Sequence, residues 1–414
     1  MKGAERAMSK PVVCIYAPTA TGGHARYAWE LATALARHPR AEHGYELVTG
    51  ENLDPQFRSD EYAVNAVLPP IRVRARFRTC AGWAWDRITY YPRREARFLR
   101  WLRGREDVAV VHLQEWKPWL APGMVRRIRG MGKKVFYTVH NVLPHRYPPG
   151  VPRWLMHSWV RRSCGACDGL FVHTERLAGQ LSNFLGPGHP PITVAPHGVW
   201  TTDDSTPRPA LGERLGWKRL LFFGAVRRNK GLDLLLRAMP HLPGYRLTVA
   251  GEPVEPDYFR SEVMPAVAAL RKAGVGVDVI DRFVPDREVG PLFAAHGAIV
   301  LPYTRRFLAQ SGVVFLALAH GLPVVASDAG GLGDLLGEYP IGTTFNGESP
   351  EALAAAVGRL HAGAGREELG RQIDAARRRF TWHAAAGATA AAYSAALESV
   401  SEVHDCALGT TPAH

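Results

Sequence analysis

At 414 residues and 46% hydrophobic content the chain is too long for one ordinary core and divides into about two domains. No run of eighteen apolar residues appears, which argues against a membrane-spanning helix. The N-terminus MKGAERAMSKPVVCIYAP lacks a signal-peptide apolar region, so the expected compartment is the cytoplasm. The net charge of +13 is unevenly placed: residues 1–200 hold 29 Lys+Arg against 15 Asp+Glu, residues 201–414 hold 22 against 23.

In chain order, PVVCIYAP reads as a short apolar strand. TATGGHARYAWELATALARH then reads as a glycine loop entering an amphipathic helix, and DVAVVHLQ, KKVFYTVHN and GLFVHT as further strands. Residues 199–216 (VWTTDDSTPRPALGERLG) are polar with two prolines and read as the interdomain linker; its Asp203 and Asp204 form a solvated turn rather than a metal element. The second half repeats the alternation: RLLFFGAV, YRLTVAG, GVDVIDRF, GAIVLPY and LPVVAS are strands, separated by helical stretches such as LDLLLRAM and EVGPLFAAH. Short apolar strands alternating with helices predict an α/β chain with parallel, buried sheets in both halves. The ends, 1–10 and 401–414, read as disordered.

The five cysteines are scattered, and only Cys164 and Cys167 have CxxC spacing. With no second pair or histidine pair to complete zinc, they read as buried thiols.

Three turns carry candidate chemistry. The first, Thr21-Gly22-Gly23-His24, lies between strand and helix, where glycines let backbone N–H groups approach an anion; a tight structural turn explains it equally well. The second, Gly224 to Gly231, places Arg227, Arg228 and Lys230 at the carboxyl end of a parallel strand, where open α/β sheets bind ligands. A diphosphate would neutralise these cations. The third lies in QSGVVFLALAHGLPVVASDAGG (310–331): Gln310-Ser311-Gly312 opens an all-apolar helix, with Ser311 as N-cap and the N–H groups of Ser311 to Val313 as an uncharged anion site. A second glycine turn, Gly330-Gly331, repeats that arrangement one strand later.

These segments together resemble a retaining nucleotide-sugar glycosyltransferase of the GT-B fold, nearest the large family-four group. The resemblance spans 11–396 and rests on the ordered set TGGHARY, VFYTVHNVLPH, DGLFVHTE, ITVAPHGVW, LLFFGAVRRNKGLDLLLRAM, QSGVVFLALAHGLPVVASDAGGL and FTWHAAAGATAAAY. It implies two Rossmann-like doubly wound domains facing across a cleft: 1–198 for the acceptor, the linker 199–216, and 217–380 for the nucleotide sugar. A helix over 381–400 then crosses back to the first domain, and 401–414 forms a tail.

The resemblance further implies that Arg227 and Lys230 hold the donor diphosphate, with Ala225 where the family often has arginine. Gly22, Gly23 and His24 match the loop that closes over donor phosphate and acceptor, and His140 the histidine that reaches the transferred sugar. His197-Gly198 matches a structural turn. Two family glutamates fall at Leu308 and Leu316, so the usual ribose carboxylate is missing. The expected reaction is hexose transfer from a nucleoside diphosphate sugar with retention and without cofactor or metal, since cations and N–H dipoles stabilise the leaving diphosphate. Glu115, at the end of VVHLQEW, is the candidate for a base-like role.

Residues 72–105 contain eleven arginines and two carboxylates interleaved with aromatic residues, and RWLMHSWVRR (153–162) has an interfacial pattern. Basic and aromatic residues together predict peripheral attachment to an anionic membrane and a lipid-linked or saccharide acceptor, as in exopolysaccharide assembly. A GT-B relative that binds or hydrolyses a nucleotide sugar without transfer stays open. A nucleic-acid-binding protein would share the basic stripe but would not need the phosphate crevice, so no nucleic-acid partner is expected.

Overall fold

A computed structural model of the chain describes residues 10–39, 42–70, 80–143, 150–202, 206, 208–305, 311–362 and 365–407, with side chains at all of these except 80–88 and 399–407. The chain splits into two compact units, one of Met1–Pro196 with Trp382–His414 and one of His197–Thr381.

The first unit is built on seven parallel strands: β1 (Val12–Tyr16), β2 (Gly44–Gly50), β3 (Ala63–Leu68), β4 (Val108–Leu113), β5 (Lys134–Thr138), β6 (Gly169–Val172) and β7 (Ile192–Val194). Their spatial order is β3-β2-β1-β4-β5-β6-β7, so the order reverses between β1 and β4. The central strands are buried nearly end to end, as their unbroken Val/Ile/Leu runs predict, whereas β3 at the edge is largely open. β2, β3 and β7 escape a reading based on apolar runs because each mixes polar with apolar residues.

The helix Trp382–Ala407 belongs to this first unit. It is pinned by a buried polar contact: the Tyr393 hydroxyl lies 2.5 Å from His112 Nδ1, and the other ring nitrogen lies 2.7 Å from Thr138 Oγ1. Burial pushes the His112 pKa down to about 3, so the ring is neutral, with one nitrogen donating and one accepting. Residues 401–407, expected to be disordered, continue this helix; 408–414 lie outside the described residues.

The second unit has six parallel strands, β8 (Arg219–Phe223), β9 (Arg246–Ala250), β10 (Gly276–Ile280), β11 (Ala298–Leu301), β12 (Val324–Ser327) and β13 (Gly342–Phe345), in the order β10-β9-β8-β11-β12-β13. Its reversal falls between β8 and β11. Of the expected linker, Trp200, Arg214 and Leu215 are buried in this unit, while Thr201, Arg208, Ala210, Gly212, Glu213 and Gly216 are exposed. Arg214, 1% exposed, donates to the carbonyls of Phe293, His296 and His320, where a cation meets orphan acceptors at two helix ends. Burial lowers its pKa to about 10 without discharging it at neutral pH. Trp200 is buried as well and donates to the Gly312 carbonyl at 2.6 Å. Polarity of sequence therefore misleads here, because the polar groups are answered by backbone carbonyls. Asp203 and Asp204 lie outside the described residues.

Candidate active site

Both sheets place their candidate residues at the strand-order reversal, where neighbouring crossover connections leave in opposite directions and open a crevice. In the second unit β8 ends at Gly224, whose φ of 101° keeps its carbonyl side free of a Cβ. A Cβ built there would lie 3.0 Å from Lys230 Nζ and 3.5 Å from Val313 Cγ2. One point at the end of β8 is thus flanked by the lysine ammonium and by the first turn of the helix Gly312–Ala319.

Lys230 is held there by the backbone. The turn Arg228–Lys230 ends on Gly231, left-handed at φ 65°, and a Cβ at Gly231 would sit 1.9 Å from the Pro302 carbonyl oxygen. Thr304 N donates to the Asn229 carbonyl at 3.1 Å, closing the basic turn against the exit of β11. The ammonium lies 5.4 Å from the centre of the Tyr303 ring. Burial first, and the nearby charge of Arg227 second, lower its pKa to about 8. Arg227 stands exposed at the head of the turn. Arg228, the third cation of the motif, is committed elsewhere: its two terminal nitrogens bind Glu262 at 2.7 and 2.5 Å.

Ser311 occupies the N-cap position, but its hydroxyl does not cap; it pairs with the Tyr303 hydroxyl at 2.9 Å. This corrects the expected serine cap. The competing partner is buried, so no side chain caps the first turn, where Val314 N donates instead to the Ser311 carbonyl at 3.1 Å. The second glycine turn behaves alike: the helix Gly330–Glu338 has Ala329 at its N-cap, no side-chain cap, and Gly330 at φ 53°. Leu316, where the resemblance led a carboxylate to be expected, is 7% exposed and packed in the core of the first of these helices; Leu308 and Gln310 lie outside the described residues. His197 stacks on Phe315 at 4.3 Å and 9° and is structural.

In the first unit the reversal brings the end of β1 to the end of β4. The helix Gly22–Ala36 begins at the glycines themselves, with Gly22 at φ 76° and open space where either glycine's Cβ would be. Glu115, just after β4, accepts from Thr19 Oγ1 at 2.5 Å and lies 3.3 Å from His24 Nδ1. The structure therefore joins Glu115 to the turn Gly22-Gly23-His24, two features that sequence reasoning had treated separately. His24 also meets His140 edge-on, ring centres 5.1 Å apart.

The tautomer of His140 follows from its neighbour. Burial lowers the His173 pKa to about 4, so that ring is neutral. Its Nδ1 faces the Ala195 carbonyl at 3.1 Å and must donate, so its Nε2 accepts from His140 Nδ1 at 3.0 Å. Neutral His140 accordingly keeps its proton on Nδ1 and its lone pair on Nε2. Thr19, His173 and Tyr303 were missed in the sequence. Tyr303 could have been found, as the residue just past an apolar strand at the reversal point.

Cys14, Cys164 and Cys167 are buried free thiols, and burial pushes Cys164 up to about 12. Among the described residues no group of three His, Cys, Asp or Glu could hold a metal ion.

Comparison with known proteins places both halves of the chain in one family. A model of Glycosyltransferase Family 4 matches residues 21–203, and one of Glycosyl transferases group 1 matches 217–363. The chain belongs to the GT-B glycosyltransferases. It is 32% identical over 251 residues to a D-inositol 3-phosphate glycosyltransferase of Xylanimonas cellulosilytica, a match that covers 56% of this chain and 58% of that protein. The chain thus spans little more than half the length of such curated relatives. The sucrose-phosphate synthase of Thermosynechococcus elongatus shares the fold with a TM-score of 0.73 at 18% identity, covering 94% of this chain and 100% of that one. The catalytic domain of starch synthase IV from Arabidopsis thaliana, solved bound to ADP and acarbose, shares it with a TM-score of 0.65 at 15% identity, covering 94% and 100%.

Proposed function

We propose that this protein is a retaining glycosyltransferase that moves a hexose from a nucleoside diphosphate sugar to a saccharide or lipid-linked acceptor, without a metal. The observation that carries the reading is the convergence of Lys230 Nζ and the first turn of Gly312–Ala319 on the side of Gly224 where a Cβ would stand. A diphosphate placed there meets a desolvated cation and amide dipoles that need no rearrangement as charge builds on the leaving group. Arg227 adds charge from the exposed side. In the first unit, Glu115 is held by Thr19 and faces His24, and His140 lies against His24 and His173; these are the groups proposed to meet acceptor and transferred sugar.

A thermal-shift panel of UDP, GDP, ADP and their sugars tests the donor site, because a ligand of the folded state raises Tm by mass action. Lys230→Ala is expected to weaken the effective nucleotide about tenfold or more, the loss of one charge-assisted contact. An undiminished shift would refute the phosphate assignment. Retention is read from the anomeric configuration of the product by NMR, and metal independence from activity in EDTA.

Peripheral membrane attachment forms part of the same proposal, in altered form. On the helix Cys80–Arg103 the apolar residues Phe98, Leu99 and Leu102 are core, while Arg93, Arg97, Arg100 and Arg103 form an exposed stripe. On Arg153–Gly165, Met156 and Val160 are core and Trp154 is 70% exposed. Attachment through the helix is accordingly electrostatic rather than insertive. Reversing the four stripe arginines to glutamate should abolish sedimentation with anionic vesicles; unchanged sedimentation would exclude it. Among the described residues no helix is long and apolar enough to cross a membrane.

A further inference from the structure

The crevice of the second unit is assembled from separate pieces of chain: the basic turn Arg228–Lys230, the exit of β11, the first turn of Gly312–Ala319 and the end of β12. Tyr303, two residues beyond β11 and buried, reaches all of them. Its ring centre lies 5.4 Å from Lys230 Nζ, its hydroxyl pairs with the Ser311 hydroxyl at 2.9 Å, and its carbonyl accepts from Ser327 Oγ at 2.6 Å. Its two chain neighbours lie against the basic turn. The Pro302 carbonyl faces Gly231, and Thr304 N donates to the Asn229 carbonyl.

Ser311 has the backbone of an N-cap, extended at φ −92° and ψ 116°, yet its side chain does not cap. Thr174 and Ser349 show the usual outcome: their hydroxyls accept from Leu177 N at 3.1 Å and from Ala352 N at 3.2 Å. For Ser311 only the side-chain torsion separates the two arrangements, because the backbone is already set for a cap. Ser311 is buried, so a hydroxyl deprived of Tyr303 would be costly to leave unpaired and would turn to its own helix. Val314 N already donates to the Ser311 carbonyl, which leaves Val313 N as the amide for that hydroxyl. A cap and an anion compete for the same donor.

We infer that Tyr303 is a positioning residue for the donor: its hydroxyl holds the Ser311 hydroxyl off the helix N-terminus and so keeps the first-turn amides for a diphosphate, while its ring seats Lys230 beside them. This rests on the transferase reading above and deepens it, since the uncapped helix becomes a consequence of one buried side chain. The helix Gly330–Glu338 needs no such guard, because Ala329 at its N-cap has no hydroxyl.

Tyr303→Phe keeps the ring against Lys230 and removes only the hydroxyl. Binding of UDP, GDP and ADP to the full chain is measured by calorimetry, and the nucleotide that binds wild type most tightly is carried through the variants. Tyr303→Phe should weaken it about tenfold or more, the worth of one charge-assisted hydrogen bond. Adding Ser311→Ala, which keeps the backbone N–H but has no hydroxyl to cap with, should restore most of that loss. A tyrosine that served packing alone would give no rescue, since a second buried change would add to the damage. Unchanged affinity in Tyr303→Phe, or a loss that Ser311→Ala does not restore, overturns the inference. If Tyr303→Phe alone does not fold, the double variant, which leaves neither hydroxyl without its partner, must bind the nucleotide more tightly than Lys230→Ala does; equal affinity overturns the inference. Lys230→Ala also separates the two readings. If no nucleotide binds wild type, or Lys230→Ala binds it as well as wild type, the donor reading falls and this inference with it. If Lys230→Ala weakens binding and Tyr303→Phe does not, only the role of Tyr303 falls.

Discussion

The two strand-order reversals of this molecule are solved with different materials. In the second unit the crevice is made of backbone: left-handed Gly231, Gly224, uncapped amides at Gly312 and Val313, and one lysine held among them. In the first unit it is made of side chains, with Glu115 between Thr19 and His24 and His140 against His173. On the proposed reading the second crevice holds a diphosphate, the same group on every donor, so a geometry written in the main chain suffices. Acceptors differ in shape and charge, and side chains at loop positions can change without disturbing the sheet.

The largest expected effect breaks the backbone half. Gly231→Ala introduces a Cβ 1.9 Å from the Pro302 carbonyl at a left-handed position, so the turn carrying Lys230 must shift or the unit must strain. A loss of about 3 kcal/mol in urea unfolding is expected. The corresponding change at Gly23, where a Cβ meets nothing and φ is not left-handed, should be small by comparison. Equal costs at the two positions would contradict the contrast drawn between the crevices.

Next in size is the pinning of the returning helix. Tyr393→Phe removes the hydroxyl 2.5 Å from His112 Nδ1 and leaves a buried ring nitrogen without its partner. About 1–2 kcal/mol should be lost. A neutral result would mean that the helix Trp382–Ala407 is held by its apolar contacts alone.

How far these features were legible from the sequence follows from the same contrast. The parallel sheets, the glycine turns and Lys230 were readable because buried strands are continuous apolar runs and left-handed turns call for glycine. Ser311 looked like a cap because serine usually caps; nothing local reveals that the Tyr303 hydroxyl competes for it. Arg228 looked like part of the phosphate set until Glu262, thirty-four positions away, engaged it. Arg94 was one of eleven arginines in a basic stripe, and only packing shows that it turns inward while Arg93 and Arg97 face out. Long-range partners, not local pattern, decided each of these.

The lysine gives a pH test with two opposite signs. Lys230 titrates at about 8 in the folded chain and at 10.5 when unfolded, so between these values the unfolded state binds more protons and stability rises with pH. Nucleotide affinity should fall over the same rise, because the deprotonated amine no longer pairs with phosphate. Lys230→Arg, which stays charged, should flatten the binding profile. A profile that keeps its fall in the arginine variant would assign the titration to another group.

The smallest effect concerns Glu95, in the first unit, and its sign is the reverse. Glu95 is 6% exposed, and burial raises its pKa from 4.5 to about 7 against the opposing pull of Arg127 at 3.5 Å. Arg94, Lys117, Glu115, Tyr16 and Tyr91 also line its surroundings. Because the folded pKa lies above the unfolded one, its contribution to stability is complete below 4.5 and is lost as pH rises through 7. Urea unfolding at pH 4.5 and pH 8 should therefore show wild type losing more stability than Glu95→Gln, which has no proton to lose. Parallel losses would place the titration elsewhere.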